Sequence, residues 1–66
     1  MIVTFNNEKL EINKTTSVKE FLNKYSPDSE EFAIFINEQL LKPDKFETYL
    51  LKESDNIIKI EFLAGG

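Results

Sequence analysis

Gly65 and Gly66 are the only glycines in the chain, and they stand at its C-terminal end, one residue after the strand-like run from Ile57 to Leu63. Average usage of about 7% would spread roughly four or five glycines through the turns of a chain this long. Here the turns have none. Glycine costs conformational entropy unless something requires its missing side chain, and a free C-terminus requires no left-handed turn. The requirement is therefore external: a thin, extended tail that delivers the Gly66 carboxylate into another protein's active site. The bland alternative is a frayed end or a cloning scar, since termini collect small flexible residues.

Other chemistry is scarce. The chain contains neither cysteine nor histidine, which removes a disulfide framework, a zinc site of the usual ligand types, a nucleophilic thiol and an imidazole base. Ser17, Ser26, Ser29, Ser54 and the lysines remain as nucleophiles. They have no histidine to activate them and no glycine-rich loop to hold an oxyanion or a phosphate. The chain reads as a non-enzyme with no metal site. Its net charge of −4 disfavours nucleic acid, whose phosphates need a basic face, and an anionic membrane. A basic protein partner fits better. Apolar runs such as Phe32 to Ile36 are far shorter than a membrane span, and Met1 to Phe5 has no basic region before an apolar stretch. The expected location is the cytoplasm.

At 66 residues the chain reads as one domain, residues 1–66, with a flexible tail at 63–66. A domain of this size buries only about 60% of the surface its unfolded form exposes. A hydrophobic content of 41% with 30% charged residues is that of a folded globular protein.

Val3 and Phe5 alternate with Ile2 and Thr4, the period of a half-buried strand. Asn6-Asn7-Glu8-Lys9 reads as a turn, because Asn tolerates the left-handed conformation of tight hairpins, and Leu10 and Ile12 give a second strand. Ser17-Val18-Lys19-Glu20 is a capping box. Val18, Phe21, Leu22 and Tyr25 then fall at i, i+3, i+4 and i+7, the core face of a helix, which Ser26-Pro27-Asp28-Ser29 terminates. Phe32 to Ile36 is a strand with Phe32, Ile34 and Ile36 on one face and Ala33 and Phe35 on the other. Asn37-Glu38 turns into Gln39 to Leu41. Pro43-Asp44-Lys45 opens a short helical turn, and Phe46, Tyr49 and Leu50 are expected to close the bottom of the core. After the polar turn Lys52 to Asp55, Ile57 to Leu63 is the last strand, with Ile58, Ile60 and Phe62 on one side and Ile57, Lys59, Glu61 and Leu63 on the other. Placing the first and last strands centrally and parallel, with right-handed crossovers, gives an α+β fold: a mixed sheet wrapped over one helix, the β-grasp or ubiquitin-like arrangement.

That order, together with Ile36-Asn37-Glu38-Gln39, Phe46, Glu53-Ser54-Asp55 and the ending Phe62-Leu63-Ala64-Gly65-Gly66, resembles the ThiS-type sulfur carriers of bacterial thiamine biosynthesis over the whole chain. Many members of that family have Gly where this chain has Glu38 or Ser54, and a proline one place before Pro43. The small sulfur-carrier subunit of molybdopterin synthase resembles the same fold and tail, but is typically longer and often carries prolines where this chain has Phe62 and Leu63.

The resemblance implies chemistry at Gly66. Its carboxylate, ionised at neutral pH with a reference pKa of about 3.5, would be adenylated with ATP on a separate adenylyltransferase of the ubiquitin-activating type. Sulfur from a cysteine desulfurase or rhodanese-like donor would then convert it to a thiocarboxylate, which hands sulfur to thiazole synthase. Leu63, Ala64 and Gly65 would be gripped by the partner: the four residues to Gly66 extend about 13 to 14 Å, and Gly65 and Gly66 present no Cβ to a channel wall. Phe35, on the strand face opposite Phe32, Ile34 and Ile36, is a candidate docking anchor; the competing reading is a small cluster with Ala33, Ile2 or Ile57 that covers the sheet. The acidic residues in the turns are either solvated or steer a partner. Two other functions use the same features, a ubiquitin-like modifier joined through Gly66 to a lysine of another protein, and a passive interaction module with an accidental Gly-Gly end.

Overall fold

The computed structural model describes residues 1–27 and 31–62. Asp28 and Ser29 of the helix-terminating stretch, and Leu63, Ala64, Gly65 and Gly66 of the tail, lie outside the described residues.

The chain opens with β1 (Ile2–Phe5) and β2 (Glu8–Glu11), paired antiparallel with Val3 opposite Leu10 and Phe5 opposite Glu8. The turn is shorter than the four residues expected from the sequence. Asn6 and Asn7 both take positive φ, 48° and 71°, as a two-residue hairpin twisted to match its strands requires. Glu8 and Lys9 are thereby freed to pair. Ile12, expected in the second strand, lies one residue past it, but its amide still donates to the Met1 carbonyl at 2.8 Å and its side chain is buried.

Helix α1 (Val18–Tyr25) starts as the capping box requires. The Glu20 amide donates to Ser17 Oγ at 3.1 Å, and the Ser17 amide donates to Glu20 Oε1 at 3.0 Å. That returned bond, with the hydroxyl contact second, holds the Glu20 carboxyl below its ordinary pKa. Val18, Phe21 and Leu22 are buried and Tyr25 half-buried; the Phe21 ring meets Phe5 edge-on at 5.2 Å and Tyr25 at 4.9 Å. Ser26 caps the C-terminus, its amide donating to the Leu22 carbonyl at 2.8 Å, and Pro27 follows where helical backbone is disfavoured.

Three more strands complete the sheet: β3 (Phe32–Ile36), β4 (Gln39–Leu41) and β5 (Asn56–Glu61). The order across it is β2-β1-β5-β3-β4, with β1 and β5 parallel and β3 antiparallel to both β5 and β4. This is the expected β-grasp. Asn37 and Glu38 repeat the hairpin device at φ 51° and 71°, and Pro43–Lys45 forms the 3₁₀ turn.

The strand register makes one assignment that alternation alone leaves open. Ile57 pairs with Ile36 and Lys59 with Ile34, so the side of β5 carrying Ile57 and Lys59 faces α1 while Ile58 and Ile60 face away. A second assignment corrects the sequence reading. Leu50 is 49% exposed, and Leu51 is the buried one. The Val18 amide donates to the Tyr49 carbonyl and the Leu51 amide to the Thr16 carbonyl, which fixes 49–51 as extended chain beside the helix N-terminus. Neighbours on extended chain point opposite ways, so only one of the two leucines can enter. Phe46 and Tyr49 pack against the core as expected.

Candidate functional site

What β5, the last described strand, carries on its outer face is apolar. Phe35 on β3 is directly opposite Ile58 on β5 and Leu40 on β4; Ala33 is opposite Ile60. Residues directly opposed across strands share a face. Leu40, Ile60 and Phe62 are 59%, 45% and 55% exposed, and Phe35, Ala33 and Ile58 half-buried. The result is a strip running along the outer side of the sheet toward Phe62, the last described residue. Large exposed apolar side chains gathered on one face of a small acidic domain mark a contact surface.

Phe35 is therefore placed where the sequence expected it, facing away from the helix. Of the neighbours expected for it, Ala33 shares its face. Ile57 is fully buried on the helix side and cannot cover Phe35; Ile2 projects from β1, beyond β5. Ile58, Ile60, Phe62 and Leu40 are the members that sequence reasoning did not assign to the surface. Their alternation was visible, but the choice of face rests on pairing across the sheet. Of the other candidate site residues, Leu63, Ala64, Gly65 and Gly66 lie outside the described residues.

At the opposite end of β5 a polar network joins two sequence segments that are far apart in the chain. Asn37 Nδ2 donates to Asp55 Oδ1 at 2.9 Å, the Lys52 amide to Asp55 Oδ2 at 2.8 Å, and the Asn56 amide to Asn37 Oδ1 at 2.9 Å. Thr4 Oγ1 donates to Asn56 Oδ1 at 2.9 Å. Asp55 is buried; burial of Tyr49 first, then the nearby Asp55 charge and hydrogen bond, push the Tyr49 phenol up from its ordinary pKa. The Asn-containing turn and the Glu53-Ser54-Asp55 segment thus have a shared structural task, pinning the β3–β4 hairpin to the start of β5. Among the described residues no group of three or more His, Cys, Asp or Glu is arranged to hold a metal, and no helix is long and apolar enough to cross a membrane.

A comparison with curated proteins found no match. Among solved structures, the chain is similar to a crystal structure of the thiamine biosynthesis protein ThiS from Geobacter metallireducens, with 23% identity, a TM-score of 0.83 and full coverage of both chains. It is also similar to an NMR solution structure of a thiamine biosynthesis protein from Geobacter metallireducens, with 22% identity, a TM-score of 0.75, and coverage of 100% of this chain and 88% of the other. At these identities the likeness establishes the fold. The family model for ThiS matches residues 3–66, a span that takes in both the sheet and the Gly-Gly end. With that match across its length, the chain belongs to the ThiS family, the sulfur carriers of thiamine biosynthesis.

Proposed function

We propose that Gly66 is the sulfur-carrying residue, adenylated and then converted to a thiocarboxylate that donates sulfur for thiazole formation. The observation that carries this reading is the family match extending through residue 66, in a chain whose only two glycines are its last two residues. In the first step a Gly66 carboxylate oxygen attacks the α-phosphorus of ATP held by an adenylyltransferase of the ubiquitin-activating type. The α–β anhydride breaks and pyrophosphate leaves, giving the acyl-adenylate. The terminal sulfur of a persulfide, supplied by a cysteine desulfurase or rhodanese-like donor, next attacks the acyl carbon, and AMP leaves with the bonding electrons. The resulting acyl disulfide is reduced by a thiol: the thiol takes up the donor's sulfur as a mixed disulfide, and the thiocarboxylate departs. Thiazole synthase would receive that sulfur.

The body's part is docking. The strip of Phe35, Leu40, Ile58, Ile60 and Phe62 leads along β5 to the root of the tail, so a partner seated on it stands over the chain's exit. Leu63, Ala64 and Gly65 then serve as the extended segment gripped through its backbone, in the manner of strand addition. The cofactor requirement falls on the partner, which binds the ATP; this chain's own contribution is the covalent thiocarboxylate. The expected setting is the cytoplasm, where ATP is available.

Intact mass of the protein from its own cell, followed by tandem fragmentation, tests the reading. The expected result is a mass gain equal to the sulfur–oxygen difference, localised to Gly66. Localisation matters because oxidation of Met1 adds nearly the same mass. A conjugated second protein on Gly66 would replace the carrier reading with the modifier reading, and an unmodified Gly66 that the adenylyltransferase and ATP cannot activate would overturn both.

A further inference from the structure

Lys59 is an unusual residue for its position. It projects from the helix-facing side of β5, opposite the fully buried Ile34, and its side chain is 1% exposed. Removing an ammonium from water is costly, and its burial is compensated only by close partners in good geometry. Packing alone therefore gives no reason for a lysine here.

Its contacts supply one. Lys59 Nζ donates to the Ser26 carbonyl oxygen at 3.2 Å and to Ser26 Oγ. It lies 4.7 Å from the centre of the Phe32 ring, a favourable distance for a cation over an aromatic face, and 3.8 Å from Glu61 Oε1. Ser26 is the C-cap of α1, so the cation also sits at the electronegative end of the helix. Three residues along the same strand direction, the Phe62 amide donates to the Glu31 carbonyl at 3.0 Å. The connection from α1 to β3 is thus fastened at both of its described ends, Ser26 to Lys59 of β5 and Glu31 to Phe62, the residue after that strand.

We propose that Lys59 is a positioning residue: by holding Ser26 and the Phe32 ring, its ammonium locks the end of β5 against the end of α1 and so fixes the position of Phe62, the last described residue. This rests on the carrier reading for its functional meaning, because a short tail rooted at a fixed point presents its carboxylate to a docked active site more often than one whose root also moves.

Amide hydrogen exchange on Lys59→Met and Ser26→Ala tests it without any partner. Phe62 reports the end of the strand; Phe21 and Leu51, bonded to the Ser17 and Thr16 carbonyls, report the start of α1 and the chain beside it. In Lys59→Met the Phe62 amide should exchange about tenfold faster while the other two keep their rates. Ser26→Ala, which removes the hydroxyl and leaves the carbonyl, should shift Phe62 the same way by less, and it carries the test alone if Lys59→Met does not fold. With ATP and the adenylyltransferase, Lys59→Met should lower kcat by about threefold or more at unchanged KM, since the outer strip is intact. Unchanged Phe62 exchange in both variants overturns the proposal, as does an equal acceleration of all three amides, the signature of a lysine that is merely structural. Failure of the wild-type protein to be adenylated would instead overturn the carrier reading, while the exchange rates still decide the role of Lys59.

Discussion

Replacing Phe35 by alanine separates the two tasks that an outward-facing aromatic can perform. The side chain is directly opposed by Ile58 and by Leu40, and a cross-strand pair of this kind contributes about 0.2 to 1 kcal/mol relative to alanine. Losing both should cost roughly 0.4 to 2 kcal/mol of stability. That is somewhat more than the change of about 1 kcal/mol expected for an isolated surface residue, yet within what a domain with about 0.05 to 0.15 kcal/mol per residue can lose and stay folded. If Phe35 is a docking anchor, affinity for the adenylyltransferase or thiazole synthase should fall by more than about 1 kcal/mol, at least roughly fivefold in Kd. Urea unfolding of the variant gives the first quantity, and calorimetric titration against each purified partner, corrected for folded fraction, gives the second. Leu40→Ala, at a more exposed position on an edge strand, is the companion variant and should lose affinity with less stability. A large stability loss with normal affinity for both partners would remove Phe35 from the site and refute the docking argument.

Phe21→Ala, at a buried position contacting Phe5 and Tyr25, should destabilise by about 3 to 5 kcal/mol; a thermal midpoint near that of the wild type would contradict the assigned helix face. Glu38 and Ser54 take positive φ, 71° and 70°, where a Cβ is penalised by roughly 1 to 2 kcal/mol and glycine returns part of that gain as lost entropy. Glu38→Gly or Ser54→Gly should therefore raise stability by about 0.5 to 1 kcal/mol, read as an increase in thermal midpoint. The Glu20 carboxyl titrates below its ordinary range because the Ser17 amide bonds its ionised form. Its stabilising effect is complete above the ordinary value and is lost as pH falls through the folded one, so Glu20→Gln should flatten the pH dependence of stability in that acidic window, as followed by denaturant melts across pH. Deleting Gly66 removes none of the described core positions or strand pairs and should leave thermal unfolding unchanged while abolishing thiocarboxylate formation; a truncated protein that still accepted sulfur would end the carrier reading.

What the sequence determined by itself was whatever depends on near neighbours along the chain. Ser17 and Glu20 are close enough to cap one another in any helix that begins there, and the spacing of Val18, Phe21, Leu22 and Tyr25 marks its buried face. The lack of histidine and cysteine, and the confinement of glycine to positions 65 and 66, narrow the chemistry before any folding is considered. The left-handed turns are a partial case: Asn6, Asn7 and Asn37 signal them, but Glu38, Ser54 and the β-branched Thr15 also take positive φ, with only the surrounding structure to hold them there. Tertiary structure alone decided which side of β5 is inside. Alternation divides Ile58, Ile60 and Phe62 from Ile57, Lys59 and Glu61 without saying which set meets the helix, and hydrophobicity favours the wrong one. The pairing of Ile34 with Lys59 and Ile36 with Ile57 sends the lysine inward and the apolar set outward. The same long-range pairing gives Phe35 its neighbours, brings Asn37 to Asp55, and admits Leu51 while turning Leu50 out. Each is a choice between two equivalent faces of an extended chain, and the choice is made by a partner strand or helix that lies elsewhere in the sequence.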